Sequence, residues 1–182
     1  MARVTIVSGC PGTGKTTLGQ ALAASSPRGV LVDSDLFYRF FTRPILPVLA
    51  EARDQNGAAI RAVAASARAF ALSGYEVVVD GVVGPWFIPV FLREVDAPGI
   101  EVEYIVLRAP LAETLGRAMS RSKAIPEHDQ IVRHMHAQFA DIGDLEPHVV
   151  DTANQTSTDT LKIVSERRLS RRFVLSKRST AS

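Results

Sequence analysis

A chain of 182 residues, 46% hydrophobic and 22% charged, has the bulk of one ordinary globular domain, which excludes a disordered or fibrous protein. A formal net charge of +2 gives no basis for general nucleic-acid affinity, and a single cysteine excludes an internal disulfide framework. No apolar run approaches a membrane span and no charged-then-apolar leader opens the chain, so a cytoplasmic setting is expected.

The first predicted strand is the β-branched run Val4 to Ser8, and the first predicted helix is Lys15 to Ser25. Between them Gly9-Cys10-Pro11-Gly12-Thr13-Gly14-Lys15-Thr16 matches G-x-x-x-x-G-K-[ST]. Glycines at these positions let successive N–H groups turn inward around a polyphosphate, and the helix N-terminus adds its positive dipole end. Gly9 through Thr17 are therefore the expected nucleotide-binding residues, with Lys15 on the β- and γ-phosphates and the Thr16 hydroxyl on Mg²⁺. Cys10 has no required chemistry in such a loop and reads as a filler position rather than a redox switch.

The second strand, Val30 to Asp33, runs into Asp33-Ser34-Asp35 and a helix from Leu36 to Phe41. Carboxylates two apart on an extended segment face the same side. Beside a metal-bound triphosphate one could hold metal-bound water, and the other could take the proton of a substrate hydroxyl. Capping of the following helix is the alternative use of Asp33 or Asp35. Asp35, further beyond the strand, is the expected base.

A third helix is expected over Ala58 to Leu72, with Gly74 as its stop, then a strand over Glu76 to Asp80. An apolar run ending in Asp has the form of the second nucleotide motif, so Asp80 is a candidate for metal organisation or acceptor binding, with a structural hydrogen bond as the equal alternative. Trp86, in a Gly84-Pro85 setting, is a candidate acceptor wall at the start of a helix to Val95. Phe37, Tyr38, Phe40 and Phe41 are weaker candidates for the same wall, since helical aromatics usually face a core.

A strand over Val102 to Leu107 ends at Arg108, and a helix over Leu111 to Arg121 follows. Arg117 and Arg121 share a face of it and could stack on adenine or cover the transferring phosphate as a lid near 117–128 closes, with Arg121 nearest the chemistry. Helices over His128 to Asp141 and Thr158 to Arg168 flank a last strand, His148 to Asp151. His128, His134, His136 and His148 have no convincing metal-ligand spacing. From Asp151 onward seven basic residues stand against three acidic ones, and residues 170–182 lack sustained apolar periodicity and are expected to fray.

Short apolar strands alternating with helices imply an α/β protein with a parallel sheet covered on both faces, formed by residues 1–169, with chemistry at the carboxyl ends of the strands. All five strands end in polar or charged residues, which suggests a site spread along that rim.

The loop at Gly9 to Thr17, the Asp33-Ser34-Asp35 segment, Asp80 after its strand, and Arg117 with Arg121 together resemble the small P-loop kinases, chiefly the chloramphenicol phosphotransferase-like and zeta-toxin-like branch. Shikimate and gluconate kinases look similar at the first two points. The resemblance implies a P-loop NTPase three-layer αβα fold with a five-stranded parallel sheet in the order 2-3-1-4-5, ATP as donor and Mg²⁺ as cofactor. It also implies Asp35 as catalytic base, Asp33 near metal or acceptor, Arg117 beside the adenine, and Thr152-Ala153-Asn154-Gln155 as the adenine-side loop. The expected activity is phosphoryl transfer to a hydroxyl of a small metabolite or antibiotic. A kinase of nucleic-acid ends or nucleotide sugars, supported by the basic end, and a nucleotide-dependent regulatory ATPase module are the competing readings.

Overall fold

β1 (Ala2–Gly9) forms the centre of the sheet because its side chains from Val4 onward are all buried, which only a strand flanked and covered on both faces allows. The computed structural model describes residues 2–121 and 128–175. After β1 come α1 (Lys15–Ala24), β2 (Gly29–Asp33), α2 (Asp35–Tyr38), α3 (Arg53–Leu72), β3 (Glu76–Asp80), α4 (Ile88–Val95), β4 (Ile100–Arg108), α5 (Leu111–Arg121), α6 (His128–Gln138), β5 (Val149–Asp151) and α7 (Ser157–Leu169). The strands are all parallel in the order β2-β3-β1-β4-β5. That is the P-loop NTPase arrangement implied by the resemblance.

Alternation along β1 divides the core. Val4 and Ile6 pack with Ile60, Val63 and Ala67 of α3 and Phe91 of α4 on one face. Val7 packs with Leu18 and Leu22 of α1, Val164 of α7 and Phe173 on the other. α5 and α6 form a separate pair, joined to the phosphate loop through a small cluster of Cys10, Ala118 and Val132.

Several element ends differ from expectation. α2 is a single turn, and α3 begins at Arg53 rather than Ala58, because Gln55 and Asn56 turn their amides to the preceding segment instead of breaking the helix. His148 closes a 3₁₀ turn over Gly143–His148 rather than opening β5; it is buried, its Nδ1 lies 3.0 Å from the Tyr104 carbonyl, and desolvation lowers its pKa.

The expected fraying at the C-terminal end is corrected over 171–175. Tyr104 N–H donates to the Phe173 carbonyl and Leu175 N–H to the Val102 carbonyl, both at 2.9 Å, so this stretch lies antiparallel along the free lower edge of β4 with Phe173 fully buried. Residues 176–182 lie outside the described residues.

Candidate active site

The loop after β1 is built by its own carbonyl. The Cys10 oxygen accepts from the Thr13 hydroxyl at 2.9 Å and from Lys15 Nζ at 3.0 Å, while Gly9, Gly12 and Gly14 all hold positive φ. Gly14, in the left-handed region, is the N-cap of α1, which leaves the first-turn N–H groups of the helix aimed into the loop. Cys10 itself is inert. It is buried, its Sγ–H donates to the Val132 carbonyl at 3.5 Å, and burial pushes the thiol up to about 11 despite the nearby Lys15 charge. The folded protein is therefore expected to resist iodoacetamide at pH 8 while the urea-unfolded chain alkylates at this single cysteine. Mass spectrometry of both samples checks it.

Register brings the next two strand ends beside this loop. Asp33 pairs with Asp80 across β2 and β3, and Asp80 pairs with Val7 of β1, two residues before Gly9. Asp80 is buried and accepts a hydrogen bond from the Thr16 hydroxyl, yet its Oδ1 has no partner. Desolvation raises its pKa, and the Asp33 charge adds to this; the Thr16 bond and Lys15 oppose it. A carboxylate held in this state costs the fold stability once ionised. Its folded pKa lies above the unfolded one, so the stabilising contribution is present below the unfolded pKa and lost as pH rises through the folded value. Asp80→Asn is accordingly expected to raise the melting temperature of the ligand-free protein at pH 7, read by differential scanning fluorimetry, and to reduce the further rise on adding magnesium with nucleotide.

Asp33 is partly spent locally: its Oδ1 accepts from the Asp35 N–H at 2.9 Å in an Asx turn ahead of α2. Asp35 begins α2 and is exposed. Desolvation by its surroundings is the largest cause of a raised pKa there, followed by Asp33; Asp80 adds a smaller push, and Lys15 and Arg39 pull the other way. The structure thus brings Lys15, Asp33, Asp35 and Asp80 within mutual electrostatic reach. Tyr38, three residues on and therefore on the same helical face as Asp35, has its phenol pushed up to about 12 by burial and by the Asp35 charge. Sequence reading held it only as one of four aromatics, although its spacing from Asp35 was the signal that separated it.

On the other side of the loop lies a recess of about 260 Å³, lined by Gly12, Thr13, Gly14 and Thr17 of the loop, Arg117 of α5, and Thr152, Gln155 and Thr160 beyond β5. Arg117 is oriented by Glu113 one turn earlier, at 2.8 Å. Arg121 closes α5, and its side chain lies outside the described residues, as do residues 122–127 of the expected lid.

Residues 6–136 match the family model described as AAA domain, well over half of the sequence. The chain belongs to the AAA-domain family. No curated protein gives a match. Among solved structures, a sugar kinase from Janibacter sp. HTCC2649 superposes with a TM-score of 0.68 at 18% identity, covering 91% of this chain and 94% of that one. The Deinococcus radiodurans tunicamycin resistance protein gives 0.68 at 15% identity, with 92% and 96% covered. A gluconokinase from Sinorhizobium meliloti 1021 gives 0.62 at 15%, with 93% and 94% covered. At these identities the likeness establishes a shared P-loop fold.

Two strand-end side chains of this AAA-domain chain are engaged in local structural contacts. Arg108 turns away to form a bidentate pair with Glu146 at 2.6 and 3.0 Å and donates to the Phe139 carbonyl. Asp151 accepts from the Ala153 N–H in a local turn. Part of the basic end is engaged by the fold as well: Arg168 binds Glu103 and Glu76, Arg171 binds Glu101, and Arg167 donates to the Val149 carbonyl. Trp86 is 48% exposed and packs against Phe87 and Phe139, so it joins the loop after β3 to the segment after α6. Among the described residues no helix is long and apolar enough to cross a membrane, and no three His, Cys, Asp or Glu side chains converge as a metal cage.

Proposed function

We propose that the chain is a cytoplasmic kinase that transfers the γ-phosphate of ATP to a hydroxyl of a small molecule, a metabolite or an antibiotic. The observation that carries this reading is the strand register that brings Asp33 and Asp80 beside the phosphate loop, with Asp35 two residues on and within electrostatic reach of Lys15. A carboxylate with a raised pKa there is suited to take the proton of an acceptor alcohol, the base role in phosphoryl transfer. The names of structural neighbours, a sugar kinase and a gluconokinase, agree with it.

The residues present fit magnesium. The unpartnered, buried Asp80 Oδ1 and the adjacent Thr16 hydroxyl offer hard oxygen donors at the loop, so Asp80 is the better carboxylate for the metal's shell than Asp33, whose Oδ1 accepts from the Asp35 N–H. Bound there, magnesium would neutralise phosphate charge. The chain's own groups do the rest. Loop amides and Lys15 hold the β- and γ-phosphates, and Arg117 with Thr152 and Gln155 flank the recess suited to the base. Asp35 orients the acceptor hydroxyl and takes its proton, and Arg121 in the lid stabilises charge on the transferring group. Of the basic end, Arg167, Arg168 and Arg171 are engaged by the fold, which reduces the charge it offers a nucleic-acid acceptor.

Calorimetry tests the donor half. MgATP is expected to bind the wild-type chain in the micromolar range typical of such sites, and Lys15→Ala to weaken it by about 10²-fold, the loss of two to three kcal/mol for a charge-assisted contact. No heat of binding with folded wild-type protein would end the kinase reading.

A further inference from the structure

Two buried hydroxyls from different strands converge on one peptide group beyond β3. Tyr104 of β4 donates its Oη–H to the Val83 carbonyl at 2.8 Å, and Ser8 of β1 donates its Oγ–H to the same oxygen at 2.8 Å. The Val83 N–H returns a bond to Ser8 Oγ at 3.0 Å and shares itself with the Gly81 carbonyl at 3.2 Å. Ser8, Val83 and Tyr104 are all fully buried, so these bonds are shielded from solvent. One donor would satisfy the carbonyl. Two donors from separate strands, one of which also accepts, fix the turn over 81–83 in place.

This turn touches both the phosphate loop and the carboxylates. Ser8 immediately precedes Gly9, where the loop begins. On the other side Gly81 lies against Ser34, the buried residue between Asp33 and Asp35. A Cβ built at Gly81 would fall 1.6 Å from Ser34 Oγ and 2.7 Å from Ser34 Cβ, so only glycine admits the approach. The Ser34 N–H also donates to the Asp80 carbonyl at 2.9 Å. Backbone and side chain of Ser34 thus both rest on the end of β3. Asp35 follows directly and begins α2, a single turn too short to hold its own position.

Resting on the kinase reading above, we propose that the turn over 81–83 is the spacer that sets the distance from the phosphate loop to Asp35, with Ser8, Tyr104, Gly81 and Ser34 as positioning residues for phosphate transfer. Transfer needs the acceptor oxygen held at near-attack distance from the γ-phosphate, and an error of roughly 1 Å there costs on the order of 10²-fold in rate. Binding of the nucleotide has no such requirement, because the loop amides and Lys15 lie on the other side of the spacer.

The test uses the full chain, MgATP, and the alcohol that the wild type phosphorylates best in a screen of hydroxylated metabolites and antibiotics. Gly81→Ala is expected to lower kcat about 10²-fold, while calorimetry gives an unchanged MgATP affinity. Adding Ser34→Gly to that variant removes the overlapping atoms and is expected to recover about tenfold of the loss. The strain of a side chain at the Gly81 φ of +158° is common to both proteins and cancels in the comparison. Tyr104→Phe leaves Ser8 on the Val83 carbonyl, so it should fold normally, with kcat lowered about tenfold and MgATP affinity again unchanged. Wild-type kcat in Gly81→Ala, or a loss that Ser34→Gly does not recover, overturns the assignment and leaves the kinase reading intact. A matching loss of MgATP affinity overturns it too, because the effect then lies at Asp80. Should Gly81→Ala not fold, an unchanged kcat in Tyr104→Phe overturns the assignment by itself. No transfer by the wild type to any alcohol, with MgATP still bound, overturns the kinase reading and the spacer together.

Discussion

Asp35→Asn is expected to bind MgATP at least as tightly as the wild type while transferring phosphate about 10²–10⁴-fold more slowly, the usual contribution of a positioned general base. Affinity should hold because the substitution removes one negative charge from a mouth that already carries Asp33 and Asp80. The pH profile gives a second readout. Desolvation and the neighbouring carboxylates raise the Asp35 pKa, and the group acts only when ionised, so wild-type kcat/KM should fall as pH drops through a value above the ordinary carboxylate range. In the Asn variant that acid limb should vanish and the residual rate should stay flat across the same window. Normal turnover in the variant, or an acid limb that survives, assigns the proton to another group. Calorimetry and a rate–pH series on the two proteins decide it.

Most of what is local in this site was legible from residues. The phosphate loop announces itself because a strand, a glycine-rich turn and a helix start must be contiguous, and Asp33, Asp35 and Asp80 stand out as polar ends of apolar strands. The order of the sheet came from resemblance, since period and composition show alternation but not which strands lie side by side. The illegible parts all depend on contacts between distant positions. Arg108 looked like a rim residue until Glu146 and the Phe139 carbonyl were found to hold it. The basic end looked like a loose cationic tail, whereas Arg168 reaches the buried Glu103, which also accepts from the Thr5 hydroxyl at 2.9 Å. No window of sequence contains Thr5, Glu103 and Arg168 together. Fold and ion pairing create that proximity, so a count of charges along the chain does not show which of them are already paired. Asp80 shows the converse: its burial and the unpartnered Oδ1 beside Thr16 are features that no stretch of sequence displays.

Two glycines of the phosphate loop should separate folding from binding. Gly9 has φ +132°, and a Cβ built there falls 2.2 Å from the Leu107 carbonyl oxygen, a backbone atom of the neighbouring strand that cannot move aside. Gly9→Ala is therefore expected to cost roughly 2–5 kcal/mol from backbone strain and overpacking together. For a chain of this size that lowers the melting temperature on the order of 10 °C. Gly14 has φ +98° but no atom within 4 Å of its Cβ position. Gly14→Ala should cost only the left-handed strain, about 1–2 kcal/mol. Its methyl would instead stand at the N-cap of α1, on the wall of the recess that Gly14 lines. Nucleotide affinity is accordingly expected to drop in Gly14→Ala far more than stability does, with fluorimetry reading one and calorimetry the other. Should Gly14→Ala keep full affinity, the empty side of that residue does not face bound phosphate, and the amides that receive the donor must belong to a different arc of the loop.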